Sequence, residues 1–119
     1  MSASHLVGDP KVVVSPDASE TQWQGVVVGV GKFYGWVVYH TYDSRRSHAG
    51  WPDLVLAGHG RVLFAELKAR TGRLSRAQRM WLGLLRAAGL EVAVWRPADL
   101  DDVVAALGPR QQRLVWRSE

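Results

Sequence analysis

Hydrophobic positions along this chain change period several times, and each change marks an element. Trp23, Val26, Val27, Val30, Phe33 and Tyr34 fall at i, i+3, i+4, i+7 spacing, a single buried stripe on a helix that begins at Ser19. Ser19 and Gln22 have capping-box spacing, in which the hydroxyl accepts from the third backbone amide and the glutamine reaches back. Valines and glycines weaken helix propensity here, so a strand over 25–30 is the competing reading. Gly35 ends the helix, and Trp36 to His40 is β-branched and aromatic, as a strand prefers. The runs Leu54-Val55-Leu56 and Arg61 to Ala65 flank Gly58-His59-Gly60 and predict a β-hairpin. Thr71-Gly72-Arg73 is a turn, after which Ser75 and Gln78 repeat the capping box. Ala77, Met80, Trp81, Leu84, Leu85 and Ala88 predict the apolar stripe of a second helix, capped at its C-terminus by Gly89. Leu90 to Trp95 is a final strand stopped by Pro97, and Asp99 to Leu107 a short helix ended by Gly108-Pro109.

The order α-β-β-β-α-β-α contains one hairpin, hence an antiparallel pair, and one strand-helix-strand crossover, hence a parallel pair. It predicts an α/β fold with a mixed sheet of about four strands flanked by helices. Residues 1–18, with two prolines around Val12-Val13-Val14, read as a flexible arm that could hold a short edge strand. Residues 19–108 form the domain, and 109–119 a basic tail interleaved with Leu114, Val115 and Trp116.

Composition narrows the class. At 119 residues, 47% hydrophobic and 22% charged, the chain suits one ordered domain with a real core. No apolar run is long enough to span a bilayer and no signal-peptide pattern is present, so a cytoplasmic protein with no membrane partner is expected. The absence of cysteine excludes disulfides and thiolate zinc sites. His5, His40, His48 and His59 lack ligand spacing, so a zinc site is not expected, and His59 falls at the hairpin tip. A formal charge of +4 favours a polyanionic partner.

The chemistry concentrates in Pro52-Asp53 and Glu66-Leu67-Lys68, on either side of the hairpin. Two carboxylates can hold a hard divalent cation through oxygen while a lysine sits beside an attacking water, as phosphodiester cleavage requires. Side chains alternate along a strand, so Glu66 and Lys68 share one face and Leu67 points to the other. The plain alternative is a solvated strand end with a surface pair of little energetic weight.

The run of Glu20, Gly50-Trp51-Pro52-Asp53, Glu66-Leu67-Lys68, Ser75 and Gln78, over Glu20 to about Arg96, resembles the VRR-NUC branch of the PD-(D/E)xK nucleases. The Val-Arg-Arg-like element of the family name is absent, since Ala69-Arg70 follows Lys68. The resemblance implies a restriction-endonuclease-like core and a metal-dependent DNA endonuclease acting on branched or structured DNA, similar to Holliday-junction resolvases that work as homodimers. A bacterial or phage-infected cell would be its setting. It implies Mg2+ or Mn2+ held by Asp53, Glu66, the backbone carbonyl of Leu67 and Glu20, with Lys68 on the attacking water. Glu20 otherwise reads as a favourable charge at a helix start. Gln78 joins the catalytic candidates as a neighbour of the site. Arg45, Arg46, Arg70, Arg73, Arg76 and Arg79 are the candidates for gripping phosphates, and Trp51 for stacking on DNA. Competing readings are a flap, nicking or exonuclease enzyme of the same fold, a non-catalytic module that binds structured DNA, and a small interaction protein docking through its tail. For the dimer contact, the arm at Val12-Val13-Val14 and the tail at Leu114-Val115-Trp116 are the expected segments.

Overall fold

Both capping boxes form, and both start helices. A computed structural model describes residues 12–41 and 48–109. Helix α1 spans Glu20–Phe33 with Ser19 and Gln22 in reciprocal hydrogen bonds at its start. The strand alternative over 25–30 is thereby excluded. After α1 come β1 (Val37–His40), β2 (Leu54–Gly58), β3 (Arg61–Leu67), α2 (Arg76–Ala87), β4 (Glu91–Trp95) and, after a 3-10 turn at Pro97–Asp99, α3 (Leu100–Leu107). The order is α-β-β-β-α-β-α, as the sequence predicts.

The sheet order is β1-β2-β3-β4, with β1-β2 and β2-β3 antiparallel and β3-β4 parallel. The hairpin turns on His59 and Gly60, both at positive φ (54° and 73°), as a two-residue type I′ turn requires. A non-glycine residue is held there because His59 Nε2 sits 2.7 Å from the Tyr34 carbonyl and its ring packs edge-on to Trp36.

One face of the sheet is closed by α1 and α3. Trp23, Val27 and Val30 of α1 and Val103 and Leu107 of α3 pack with Leu54, Leu56, Leu63, Ala65, Leu67 and Trp95. Two indole N–H groups are satisfied inside this core, Trp23 by the Trp95 carbonyl and Trp36 by the Leu107 carbonyl, both at 2.9 Å. Arg61 fastens α3 to the sheet, paired bidentately with Glu91, donating to the Ala106 carbonyl and lying over the Trp36 ring. Val12 and Val14 also pack against this core, while Val13 points out, 93% exposed.

The two predicted stripes fare differently. On α1 the stripe is buried except at its last turn, where Phe33 lies off the stripe's axis and is 52% exposed, packed edge-on against Tyr34. On α2 the expected burial is corrected more strongly: Leu82 alone is fully buried, Met80 is 47% and Leu84 57% exposed. The helix packs on β4 at one side of the sheet, so its apolar stripe is wider than the surface it covers.

Candidate active site

The site is built where β2 begins and β3 ends, beside the first turns of α1 and α2. Register places Leu54 opposite Ala65, which puts Asp53 across from Glu66. From Leu63 to its end β3 is buried on both faces, lying between β2 and β4, so a carboxylate at position 66 is taken out of water. Glu66 is only 1% exposed. A charged group so placed needs compensation.

Part of that compensation is visible. Asp53 Oδ2 accepts the Leu67 backbone N–H at 2.8 Å, while the Asp53 carbonyl accepts from Thr41 N at 3.1 Å, so the residue is fixed at both ends. Gln78 Nε2 donates to Glu66 Oε2 at 2.9 Å, and Lys68 Nζ lies 4.0 Å from the same oxygen. Glu66 Oε1 is buried and has no donor among the described residues. Burial first, then the charge of Asp53 and a hydrogen bond to it, with a smaller contribution from Glu20, push the Glu66 carboxyl up to about 8, against the pull of Lys68. At neutral pH this keeps the Glu66 carboxyl largely protonated.

Glu20 opens α1 and is exposed, but its carboxylate reaches this corner: a Cβ added at Gly72 would meet Lys68 Cδ at 3.3 Å and Glu20 Oε2 at 3.4 Å. The loop carrying Trp51-Pro52-Asp53 is pressed onto the start of α2. Gly50, at φ 87°, lies so close to the backbone of Ala77 that no Cβ fits between them. Trp51 is edge-on to both Phe64 and Trp81, whose indole N–H donates to His48 Nδ1 at 3.3 Å.

Asp53, Glu66, Lys68, Glu20 and Gln78 are thus brought to one corner, with Leu67 at the end of β3 locking Asp53 through its N–H. Arg70, Arg73, Arg76 and Arg79 are exposed around it; Arg70 pairs with Asp17 at 2.9 Å and Arg79 donates to the Leu74 carbonyl. Arg45 and Arg46 lie outside the described residues, as do the tail residues Leu114, Val115 and Trp116. Sequence reasoning missed Arg96. The parallel register carries β4 alongside β3, and Arg96 donates to the Ala69 and Arg70 carbonyls at 2.7 and 3.4 Å, holding the turn that follows Lys68. A basic residue just past the strand that pairs with the E-x-K strand is the signal that could have found it.

No His, Asp or Glu set of three or more forms a ready metal cage among the described residues. The donor chemistry nonetheless suits a hard cation: two facing carboxylates, one with a buried oxygen lacking a partner. No described helix is long and apolar enough to cross a membrane.

Two solved structures share this architecture. One, a VRR-NUC domain, is 21% identical, with 74% of this chain and 97% of that one covered at a TM-score of 0.63. The other, a VRR-NUC domain protein, is 22% identical, with 76% and 85% covered at a TM-score of 0.58. No curated protein matches the chain. The VRR-NUC domain model matches residues 13–99, most of the chain, including every residue of the corner just described. The chain therefore belongs to the VRR-NUC family, a nuclease domain of the restriction-endonuclease-like fold whose partner is DNA.

Proposed function

We propose that the protein is a metal-dependent endonuclease that hydrolyses phosphodiester bonds in branched or structured DNA, in the manner of a Holliday-junction resolvase, and that it acts as a homodimer. Its setting would be the cytoplasm of a bacterial or phage-infected cell. The observation that carries this reading is Glu66: a fully buried carboxyl facing Asp53, with one oxygen that no donor reaches among the described residues and an ammonium 4.0 Å from the other. A structural carboxylate has no reason to be arranged at such cost. A cation-binding one has.

Asp53, Glu66, the Leu67 carbonyl and Glu20 are the groups that would hold Mg2+ or Mn2+, and such a cation supplies Lewis acidity to the phosphoryl group. Because Mg2+ keeps several waters, two carboxylates with a backbone oxygen suffice, and the exposed Glu20 can act through water. The chain's own residues divide the remaining work. Lys68, nearly buried and 4.0 Å from Glu66 Oε2, would orient the attacking water and offset the charge that grows on the phosphoryl oxygens. Gln78 holds Glu66 in one rotamer by its amide N–H, so the carboxylate need not reorganise during reaction. Arg96 holds the turn after Lys68. Exposed Arg70, Arg73, Arg76 and Arg79 would grip phosphates, and Arg45 and Arg46, which precede Asp53 in the sequence, would do the same. With no base-reading element apparent among the described residues, substrate choice would rest on DNA shape.

The test is incubation of purified protein with a four-way junction, linear duplex and single-stranded DNA, in Mg2+, Mn2+ or chelator. Metal-dependent cutting of the junction in preference to duplex is expected. Binding of the junction without cleavage in either metal would reduce the protein to a binding module.

A further inference from the structure

The chain does not simply leave the sheet after Lys68. Strand β3 ends at Leu67, and residues 69–72 turn back beside the Lys68 side chain, closed by a hydrogen bond from the Gly72 N–H to the Ala69 carbonyl at 3.1 Å. Two consecutive residues at the end of β4 hold this segment. The Trp95 carbonyl accepts the Lys68 N–H at 3.1 Å, and the Arg96 guanidinium donates to the Ala69 and Arg70 carbonyls at 2.7 and 3.4 Å. Arg96 is itself anchored, its backbone N–H donating to Asp99 Oδ2 at 2.8 Å. The same Trp95 carbonyl accepts the indole N–H of Trp23 at 2.9 Å, and Trp23 follows Glu20 on the first turn of α1. The end of β4 is therefore a common reference for the lysine, the turn and the helix that carries Glu20.

Gly72 stands where two side chains meet. A Cβ built on it would lie 3.3 Å from Lys68 Cδ and 3.4 Å from Glu20 Oε2. Gly72 is not among the glycines held at positive φ, so its backbone would accept a side chain. What the glycine supplies is room. A lysine ammonium sits at the end of a flexible stem, and it keeps one position only if that stem is walled in. Lys68 is walled in, at 9% exposed. The bonds from Arg96 are charge-assisted, the strong kind, so the wall itself has one geometry. We propose that Gly72 and Arg96 are positioning residues. Arg96 clamps the 69–72 turn against the Lys68 stem, and the missing side chain at Gly72 lets that stem and the Glu20 carboxylate close on the same point. The turn thereby sets where the ammonium and the outer carboxylate stand beside Glu66. Neither residue touches DNA or cation in this assignment.

This assignment deepens the nuclease reading above and rests on it for its effect on rate, but one arm of its test needs no cleavage. Reductive methylation of the full chain without metal, resolved by peptide mass spectrometry, compares Lys68 with the exposed Lys32. Arg96→Ala and Gly72→Ala should each raise Lys68 labelling about tenfold relative to Lys32, because the stem loses its wall or is pushed off it. Both should lower single-turnover cleavage about tenfold or more, while gel-shift affinity for junction DNA in chelator stays near wild type. Arg96→Lys keeps a charged donor and should restore much of both readouts. Val103→Ala opens a cavity in the core away from the turn, so it should lower the melting temperature and move neither readout. Wild-type labelling and cleavage in both Arg96→Ala and Gly72→Ala would overturn the assignment. So would a rise in labelling with unchanged cleavage, which makes the turn packing alone, or rate and DNA affinity falling together, which makes it a phosphate contact. A wild-type protein that cuts no DNA, with Lys68 labelling responding as described, would leave the positioning of Lys68 standing and sink the nuclease reading alone.

Discussion

Helices α1 and α2 begin with the same device and do different things with it. Ser19 with Gln22 and Ser75 with Gln78 make identical reciprocal caps, with backbone-to-glutamine hydrogen bonds of 2.9 and 2.8 Å. On α1 the cap is all that Gln22 serves among the described residues. On α2, Gln78 accepts from Ser75 N with one end of its amide and donates to Glu66 with the other. The first turns also differ in sign: α1 carries Glu20, whereas α2 carries no acid and instead Arg76, with Arg79 following. Negative charge suits a helix start and positive charge does not, so the arginines at α2 gain nothing from its dipole where Glu20 does. A shared local motif has been put to two uses, and the difference lies in what each helix start faces.

The largest effect should come from removing what separates the two glutamines. Glu66→Ala or Asp53→Ala should abolish metal-dependent cleavage, a loss of at least about a hundredfold, while gel-shift binding of junction DNA largely persists. In the Glu66→Ala background both glutamines become simple caps. A further Gln78→Ala or Gln22→Ala should then cost similar stability, about 1 kcal/mol or less, by chemical denaturation.

Lys68→Ala should lower the single-turnover rate on the order of a hundredfold with little change in DNA affinity, because its charge acts on the transition state. Equal losses in both would make it a ground-state phosphate contact.

Exchange of each glutamine for glutamate sharpens the comparison. Glutamate serves a capping box as well as glutamine does, so Gln22→Glu should leave melting temperature and cleavage near wild type. Gln78→Glu should keep the cap yet present a second carboxylate to Glu66, lowering cleavage by tens of fold. Equal behaviour of the two variants would erase the distinction drawn between the helices.

A smaller effect should appear in stability against pH. With chelator present, Glu66 has a folded-state pKa raised from 4.5 to about 8, so the native protein binds the proton more tightly than the unfolded chain. The stability this provides is complete below 4.5 and is lost as pH rises to about 8, giving a falling melting temperature across that window. Glu66→Gln should flatten the slope, and an excess of Mg2+ should reduce it in the wild type.

Much of this molecule was legible in its sequence, because the signals concerned are local. A capping box needs only residues three apart, and both were correct at both helices. The hairpin follows from Gly58-His59-Gly60, and the mixed sheet from one hairpin and one crossover. The pair of motifs holding Asp53, Glu66 and Lys68 could be read as one corner because a hairpin of known register brings its ends together. What could not be read depends on which surface each element meets. The apolar stripe of α2 fixed an amphipathic helix, but its width against β4, and so the exposure of Leu84, is settled only by where the sheet ends. Arg96 joins the site because β4 pairs in parallel with β3, a contact between residues 27 apart. The sequence determined the elements and the candidate groups, since propensity, capping and turn chemistry act over a few residues. Only the tertiary structure decided that Gln78 should reach Glu66 while Gln22, among the described residues, serves only its own cap, because solvation and charge at a side chain are set by neighbours distant in the chain.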